Sequence, residues 1–202
     1  MNIKPIHVNA VLAGVVAAIA APVPAIASES IVNRFHRTYQ ALQSVRCTFV
    51  LDGTHTGQLF AMRGKGYVLA MADRRIISNG TTVWNITPAT KTVIVNNALQ
   101  NGEDLSLERL FFTLLSVYRA SAVQGATNQL DLRPPAPAVR VAGVQSARVT
   151  VDDNMRVTKV VVNDGATEST WVLKNLQLNA KPLATERFTY EPPSGWTTVD
   201  LR

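Results

Sequence analysis

The sequence predicts a mainly β, α+β fold in which two helices lie against one large antiparallel sheet. Many short runs of strand-forming residues are separated by turn sequences, and only two segments show helical spacing. The order is helix, six strands, helix and then about five further strands. Because helices and strands do not alternate, this order excludes a doubly wound α/β fold.

Composition limits the class of protein. The chain has 202 residues, of which 47% are hydrophobic and 17% are charged, which is typical of a folded chain with a sizeable core and not of a disordered one. The single cysteine excludes both an intramolecular disulfide framework and a cysteine-based zinc site. An excess of 20 Lys and Arg over 14 Asp and Glu favours an acidic partner without specifying its kind.

Residues 1–27 have the pattern of a cleaved secretory signal peptide. Lys4 precedes an apolar run from Ala10 to Ala21, and Ala25-Ile26-Ala27 supplies the small residues that signal peptidase accepts. The run is too short to span a membrane. Its removal takes away one Lys and no acidic residue, so the net charge falls from +6 to +5. We therefore expect a periplasmic protein, for which nucleic acid is not a partner.

The first helix is predicted directly after the cleavage site, within the sequence SESIVNRFHRTYQALQSV. Ser28 or Ser30 can cap its start. Its apolar face carries Ile31, Phe35, Tyr39 and Leu42. The six strands that follow are predicted at VRCTFVL, GQLFAMR, GYVLAMA, RRIIS, TTVWNI and KTVIVNN.

The second helix is predicted in EDLSLERLFFTLLSVYRA, with Asp104 or Ser106 as its cap. Its apolar stripe is wider than burial of one face requires. The stripe comprises Leu107, Leu110, Phe111, Phe112, Leu114, Leu115 and Tyr118.

The remaining strands are predicted at NQLDLRP, AVRVAG, SARVTV, RVTKVVVN and TESTWVLKNLQLN, with a final one in TERFTYEPPSGWTTVDL. Three prolines at positions 134, 135 and 137 indicate a loop between strands. No repeat or low-complexity linker divides the chain, so residues 28–202 are predicted to form a single domain.

Motifs for catalysis, nucleotide binding and metal binding are missing from the sequence. His36 and His55 have no second ligand at metal-binding spacing, which favours a packed or solvated role for each. Cys47 lies beside Arg46, but a lone cysteine in a strand is usually a small apolar side chain. We expect a binding protein and not an enzyme, with no cofactor and no metal.

Two short polar segments are interpreted as turns. Residues 152–154 (Asp-Asp-Asn) lack the alternating ligands and distal Glu of a calcium loop, and a hairpin turn explains them better. Residues 79–81 (Asn-Gly-Thr) fit a glycosylation sequon, but Asn-Gly between two strands is foremost a tight-turn signal.

The segment FAMRGKGYVLAMADRRIISNGTTVWNITPATKTVIV resembles the core of the LolA-type outer-membrane lipoprotein carriers. The shared features are a strand that ends in the basic residue Arg63, a short apolar strand, the motif Asn79-Gly-Thr-Thr-Val-Trp84 and the Thr87-Pro88 turn. The closing segment FTYEPPSGWTTVDLR also resembles the end of that family.

The resemblance implies an open, curved antiparallel half-barrel of about eleven strands, with the helices forming a lid over an apolar cavity. It also implies a monomeric periplasmic carrier that binds the acyl anchor of lipoproteins. Its partners would be an inner-membrane ABC-type exporter and an outer-membrane acceptor.

The resemblance assigns roles to individual residues. Arg63 aligns with an arginine that joins the barrel to the lid and releases when lipid enters. The acyl-chain cavity is predicted to be lined by Tyr67, Leu69, Met71, Ile77, Trp84, Phe111 and Leu115. The first three share one sheet face, since alternate strand residues point the same way.

Alternative interpretations are an ordinary sheet–helix core, a lipid-binding sensor or regulatory module, and a glycolipid-transfer protein of the cell envelope. A hydrolase that uses His36 or His55 is the least favoured alternative.

Overall fold

The computed structural model describes residues 29–98, 106–181 and 188–202. The predicted signal peptide and the candidate caps Ser28 and Asp104 lie outside these residues. Within them, one sheet of twelve strands carries two helical segments, so the expected architecture of an open, mainly β fold is confirmed. No helix in the described parts of the chain is both long and apolar enough to cross a membrane.

Helix α1 spans Ile31–Gln40, and the side chain of its cap Ser30 accepts a hydrogen bond from the Asn33 N–H at 3.3 Å. Phe35 and Tyr39 are fully buried on its sheet-facing side. The Tyr39 hydroxyl donates to the Met155 carbonyl and accepts from the Val157 N–H, both at 3.0 Å. These two bonds fix α1 against the far half of the sheet and satisfy a polar group that burial would otherwise leave unpaired.

Helix α2 is irregular and comprises an α-helical turn at Leu107–Arg109, a π-helical segment at Leu110–Leu114 and a final turn at Leu115–Val117. Ser106 caps its start by accepting from the Arg109 N–H at 3.2 Å. The π-helical segment explains the wide apolar stripe, since its looser winding turns more consecutive side chains inward. Leu110, Phe111, Phe112, Leu114 and Leu115 are all buried.

The strands are β1 (Ser44–Leu51), β2 (His55–Met62), β3 (Gly66–Met71), β4 (Arg75–Ser78), β5 (Thr82–Thr87), β6 (Thr92–Asn97), β7 (Arg119–Ala122), β8 (Gln129–Arg133), β9 (Ser146–Val151), β10 (Val157–Asn163), β11 (Glu168–Leu178) and β12 (Thr197–Asp200). Their order across the sheet is β12-β6-β5-β4-β3-β2-β1-β11-β10-β9-β8-β7. All neighbouring pairs are antiparallel except β12 with β6, which are parallel.

Three details of the predicted strands are wrong. Residues 138–143 form no strand; Pro137–Val139 is a 3-10 turn, and the Val141 N–H that follows donates to the Tyr118 hydroxyl. The first two residues of β7, Arg119 and Ala120, are included in the predicted second helix, but that helix ends at Val117 because Tyr118 adopts an extended conformation. Among the described residues 188–202 of the predicted last strand, only β12 forms, since Pro192 and Pro193 cannot donate to a ladder.

The sheet buries apolar side chains on both faces. The inner face packs against α1 and α2 through a cluster that includes Phe35, Tyr39, Phe49, Leu110 and Phe111. On the outer face, the C-terminal segment covers a smaller cluster, where the ring of Phe188 stacks on that of Phe60 at 6.0 Å. In the described parts of the chain, both α1 and α2 pack on the inner face, which makes it the place for a lidded cavity.

Candidate functional site

An apolar cavity of about 310 Å³ lies where the start of α2 approaches the inner face of β1–β4. Its wall contains Phe49 and Leu51 of β1, Leu59 of β2, Tyr67, Leu69 and Met71 of β3, Ile76 of β4, Leu107 of α2 and Trp171 of β11. Register explains this grouping: Leu59 pairs with Leu69, and Leu69 with Ile76, so their side chains share the inner face. The cavity is at the lower end of the size range of small-molecule sites, roughly 300–1,000 Å³.

The deeper wall contains two aromatic rings. Phe49 and Trp171 contact each other with ring centroids 5.6 Å apart. The Trp171 Nε1 is buried and has no hydrogen-bond partner among the described residues. This part of the cavity wall is therefore hydrocarbon and aromatic.

Polar side chains gather at the mouth, where Ser106, Glu108, Arg74 and His55 complete the lining. Burial raises the pKa of Glu108, while the charges of Arg109 and Arg63 act in the opposite direction. The pKa of Tyr67 is also raised, first by burial and then by the nearby Glu108 carboxylate. The mouth therefore disfavours further negative charge beside Glu108.

A second cavity of about 650 Å³ adjoins the first and shares Tyr67, Arg74, Ile76, Ser106 and Glu108 with it. Its remaining wall is more polar and includes Ser78, Asn85 and Asn96 from β4, β5 and β6. The two cavities together form a site with an apolar end and a polar end, which suits an amphiphile better than a uniformly apolar molecule.

Arg63 joins the sheet to both helices. Its side chain donates to three backbone carbonyls: Nε to Leu42 at 2.8 Å, Nη2 to Tyr39 at 3.2 Å and Nη1 to Phe112 at 3.1 Å. The guanidinium carbon also lies 5.2 Å from the centroid of the Phe112 ring. Tyr39 and Leu42 are at the C-terminal end of α1, where carbonyls lack helical partners and a positive charge is favourable.

The turn between β2 and β3 directs Arg63 toward the helices. Gly64 has φ +66°, and the Lys65 N–H donates to the Met62 carbonyl at 3.1 Å, which closes a tight turn around Arg63. Glycine accommodates this left-handed conformation without steric cost. Gly64 is therefore compatible with the contact that the family resemblance predicts for Arg63.

The structure brings together only part of the predicted cavity. Tyr67, Leu69 and Met71 line it, but Phe111 and Leu115 are fully buried in the core beneath the helices and do not line it. Ile77 and Trp84 do not line it either: the two pair with each other across β4 and β5 and belong to the outer-face cluster. Because Tyr67 pairs with Ser78, the inward positions of β4 are Ile76 and Ser78.

Several lining residues were missed by the sequence interpretation, chiefly Phe49, Leu59, Leu107 and Trp171. Phe49 and Leu59 carry a usable signal, since alternation along β1 and β2 assigns each to one face. Trp171 does not, because its position depends on the pairing of β1 with the distant strand β11, where Leu51 is its partner.

The two histidines and the cysteine that the sequence singles out have ordinary packing or hydrogen-bonding environments. His36 Nε2 accepts a hydrogen bond from the Ala120 N–H at 3.4 Å, and His55 Nδ1 lies 3.0 Å from the Thr54 hydroxyl. Burial raises the pKa of the Cys47 thiol to about 12, which disfavours a reactive thiolate. No group of three potential metal ligands occurs among the described residues.

Both predicted turns are present. Asp152 Oδ1 accepts from the N–H groups of Asn154 and Arg156 at 2.9 and 2.8 Å, which closes the hairpin between β9 and β10. Asn79 Oδ1 accepts from the N–H groups of Thr81 and Thr82 at 3.0 and 2.8 Å between β4 and β5.

Sequence comparison matches the chain to no protein-family model and to no curated protein. Solved structures resemble it at low identity. An uncharacterized conserved protein from Thermus thermophilus is 10% identical with a TM-score of 0.49, over 84% of this chain and 96% of that one. LprF from Mycobacterium bovis is 9% identical with a TM-score of 0.45, over 76% and 93% of the two chains.

A domain assigned to outer-membrane lipoprotein sorting in Vibrio parahaemolyticus is 11% identical with a TM-score of 0.40, over 77% of this chain and 94% of that one. These likenesses are distant and concern the fold alone.

Proposed function

We propose that the chain is a non-catalytic periplasmic carrier that binds the acyl anchor of lipoproteins released from the inner membrane and delivers them to the outer membrane. The observation that carries this proposal is the apolar cavity under the start of α2, held beside helices that Arg63 fastens to the sheet. Its partners would be acylated lipoproteins, an inner-membrane ABC-type exporter and an outer-membrane acceptor, with the carrier acting as a monomer.

Physical chemistry requires such a cover for the cargo. Each methylene of an acyl chain that is exposed to water costs about 0.8 kcal/mol, so a lipid anchor does not cross an aqueous compartment unshielded. Leu59, Leu69, Met71 and the rings of Phe49 and Trp171 offer the hydrocarbon surface that would replace the membrane.

The size of the cavity makes lid movement part of the proposal. About 310 Å³ accommodates only part of a lipoprotein anchor, so uptake needs α1 and α2 to move away from the sheet. The three hydrogen bonds of Arg63 hold the helices in the closed arrangement. Cargo would replace these contacts by apolar burial, and their re-formation would favour release.

The proposal is tested by lipoprotein release. Purified mature protein, added to spheroplasts that retain lipoproteins in the inner membrane, should bring a lipoprotein into solution as a soluble complex. Depletion of the protein in the native cell should leave lipoproteins in the inner membrane. The variant Leu69→Trp, which narrows the cavity, is the control that should release much less lipoprotein than the parent.

A different result would favour another interpretation from the sequence. If fatty acid or glycolipid co-purifies with the chain but no lipoprotein is released in either experiment, the carrier role is contradicted and a lipid-transfer or sensor role takes its place.

A further inference from the structure

The outer face of the sheet carries a groove of about 550 Å³, with both polar and apolar lining residues, on the side opposite the cavity. We call it the outer groove and define it by Arg46 and Thr48 of β1, Gln58 of β2, Arg75 of β4, and Asn175 and Gln177 of β11. Gln58, Arg75, Asn175 and Gln177 are exposed. The C-terminal segment covers the neighbouring apolar cluster, beginning with Phe188 on Phe60, so the groove lies beside a covered region of the same face.

Strand register gives the outer groove its length. Thr48 pairs with Gln58, Gln58 with Ala70, and Ala70 with Arg75, so one row of outward residues crosses four adjacent strands. Three steps of about 4.8 Å each make this row roughly 14 Å long at the backbone. Arg46 lies two residues from Thr48 along β1. Between these two residues the register of β1 with β11 shifts, and Asn175 of β11 has a left-handed backbone conformation with φ +53°.

The two arginines lack anionic partners within the described structure. Neither Arg46 nor Arg75 forms an ion pair with a described carboxylate, and no residue that lines the groove is acidic. The Arg46 guanidinium carbon lies 5.0 Å from the centroid of the Phe60 ring, which orients it without neutralising its charge. Arg148, on the same face farther along the sheet, does form an ion pair, since its Nε lies 2.7 Å from Oδ1 of Asp131.

We propose that the outer groove binds an extended, acidic segment of a partner protein. Arginine guanidinium groups bind carboxylates with strong, directional hydrogen bonds, and the groove presents one at each end. The amide and hydroxyl groups of Gln58, Gln177, Asn175 and Thr48 between them match the polar groups of a peptide. An extended chain advances about 3.3 Å per residue, so the row corresponds to four or five residues of partner.

The recessed position of Arg46 favours a peptide over a membrane surface. Arg46 is half-buried against Phe60 and does not project from the face as a membrane-binding cation would. The groove and the acyl cavity lie on opposite faces of β1–β4, so the two can be occupied together. The inference is independent of what the inner cavity binds.

The test uses the full mature chain and a fluorescein-labelled decapeptide of alternating Glu and Ser, followed by fluorescence anisotropy at low salt. Alternation places the Glu side chains on one side of an extended strand. The parent should bind this peptide and not the matched Gln-Ser peptide. Arg46→Gln with Arg75→Gln should raise the Kd about tenfold or more.

The matched control is Arg133→Gln with Lys159→Gln, which removes the same charge from exposed outward positions of β8 and β10. This control should change the Kd by less than about twofold, since the lost charges do not touch the groove. Gln58→Glu adds a carboxylate to the groove without removing an arginine and should weaken binding as strongly as the double arginine variant. Circular dichroism melts establish that each variant is folded.

Three results would overturn the proposal. The parent could fail to bind the acidic peptide; the groove and control variants could lose affinity equally; or Gln58→Glu could leave binding unchanged. Vesicles of phosphatidylglycerol and phosphatidylcholine test a lipid surface as the alternative partner. If the vesicles bind in a way that depends on Arg46 and Arg75 and the peptide does not bind, the groove binds a lipid surface and the proposal is contradicted.

Discussion

Arg63 Nη1 donates a hydrogen bond of 3.1 Å to the carbonyl oxygen of Phe112, and this bond connects the β2–β3 turn to the π-helical segment of α2. The Phe112 carbonyl also accepts from the Ser116 hydroxyl at 2.8 Å, so the acceptor is fixed in place from within its own helix. The same guanidinium holds the end of α1 through Tyr39 and Leu42. One side chain thereby couples both helices to the sheet.

Replacement of this side chain should uncouple cargo binding from cargo release. Arg63→Leu removes three charge-assisted hydrogen bonds, so we expect the closed, empty form to lose about 1–3 kcal/mol. Because cargo competes with these bonds, the variant should retain bound lipoprotein and fail to pass it on. The measurement is transfer of a preloaded lipoprotein to outer-membrane vesicles, with thermal unfolding of the empty protein alongside.

The neighbouring residue of the same turn supplies the control for Arg63. Lys65→Leu also removes a cation from the turn, but Lys65 is exposed. It should transfer cargo like the parent. Normal transfer by Arg63→Leu, or equal defects in the two variants, would contradict the coupling.

Narrowing the cavity should weaken acyl binding. In Leu69→Trp an indole ring replaces the smaller isobutyl group between β3 and α2, and exclusion of two methylenes of the ligand costs about 1.6 kcal/mol, roughly tenfold in affinity. The measurement is displacement of a fluorescent fatty-acyl probe. Val161→Trp places the same ring at a half-buried position on the outer side of β10 and should bind the probe like the parent. Equal affinity of Leu69→Trp and the parent would show that the probe binds elsewhere.

The sequence predicts features within a single strand better than the register between strands. Tyr67, Leu69 and Met71 were assigned to one face correctly, because alternation within a strand needs no knowledge of its neighbours. Ile77 and Trp84 lie on the other face, because the facing of β4 and β5 depends on hairpin register, and a shift of one residue reverses every side chain.

The sequence also does not predict which distant strands pair or how a helix is wound. Trp171 enters the cavity only through the pairing of β11 with β1. Ser106 was among the predicted caps of α2, but the π-helical winding that buries both Phe111 and Phe112 was not predicted, since an apolar stripe gives no count of residues per turn.

Glu108 should make stability depend on pH in a direction opposite to that of a paired carboxylate. Burial raises its pKa in the folded chain, so the folded state binds more protons than the unfolded state between the ordinary and the raised pKa. The free energy of unfolding should therefore fall as the pH rises through that window. Glu108→Gln removes this dependence and should raise the melting temperature at neutral pH. Melting curves from pH 4 to pH 8 measure the difference, and a difference that stays constant with pH would contradict this assignment.

Gly57 allows the Phe49 ring in the cavity wall to lie close to the backbone of β2. A Cβ added at Gly57 would lie 2.5 Å from the Phe49 ring and 2.7 Å from the Ala70 carbonyl oxygen. Gly57→Ala should therefore lower the free energy of unfolding by about 1–3 kcal/mol through overpacking. A double-mutant cycle with Phe49→Leu separates the two contacts. If the Phe49 ring carries the strain, Gly57→Ala lowers the free energy of unfolding less in the Phe49→Leu background than in the parent. An equal loss in both backgrounds would contradict a role for Phe49 and assign the strain to the Ala70 carbonyl.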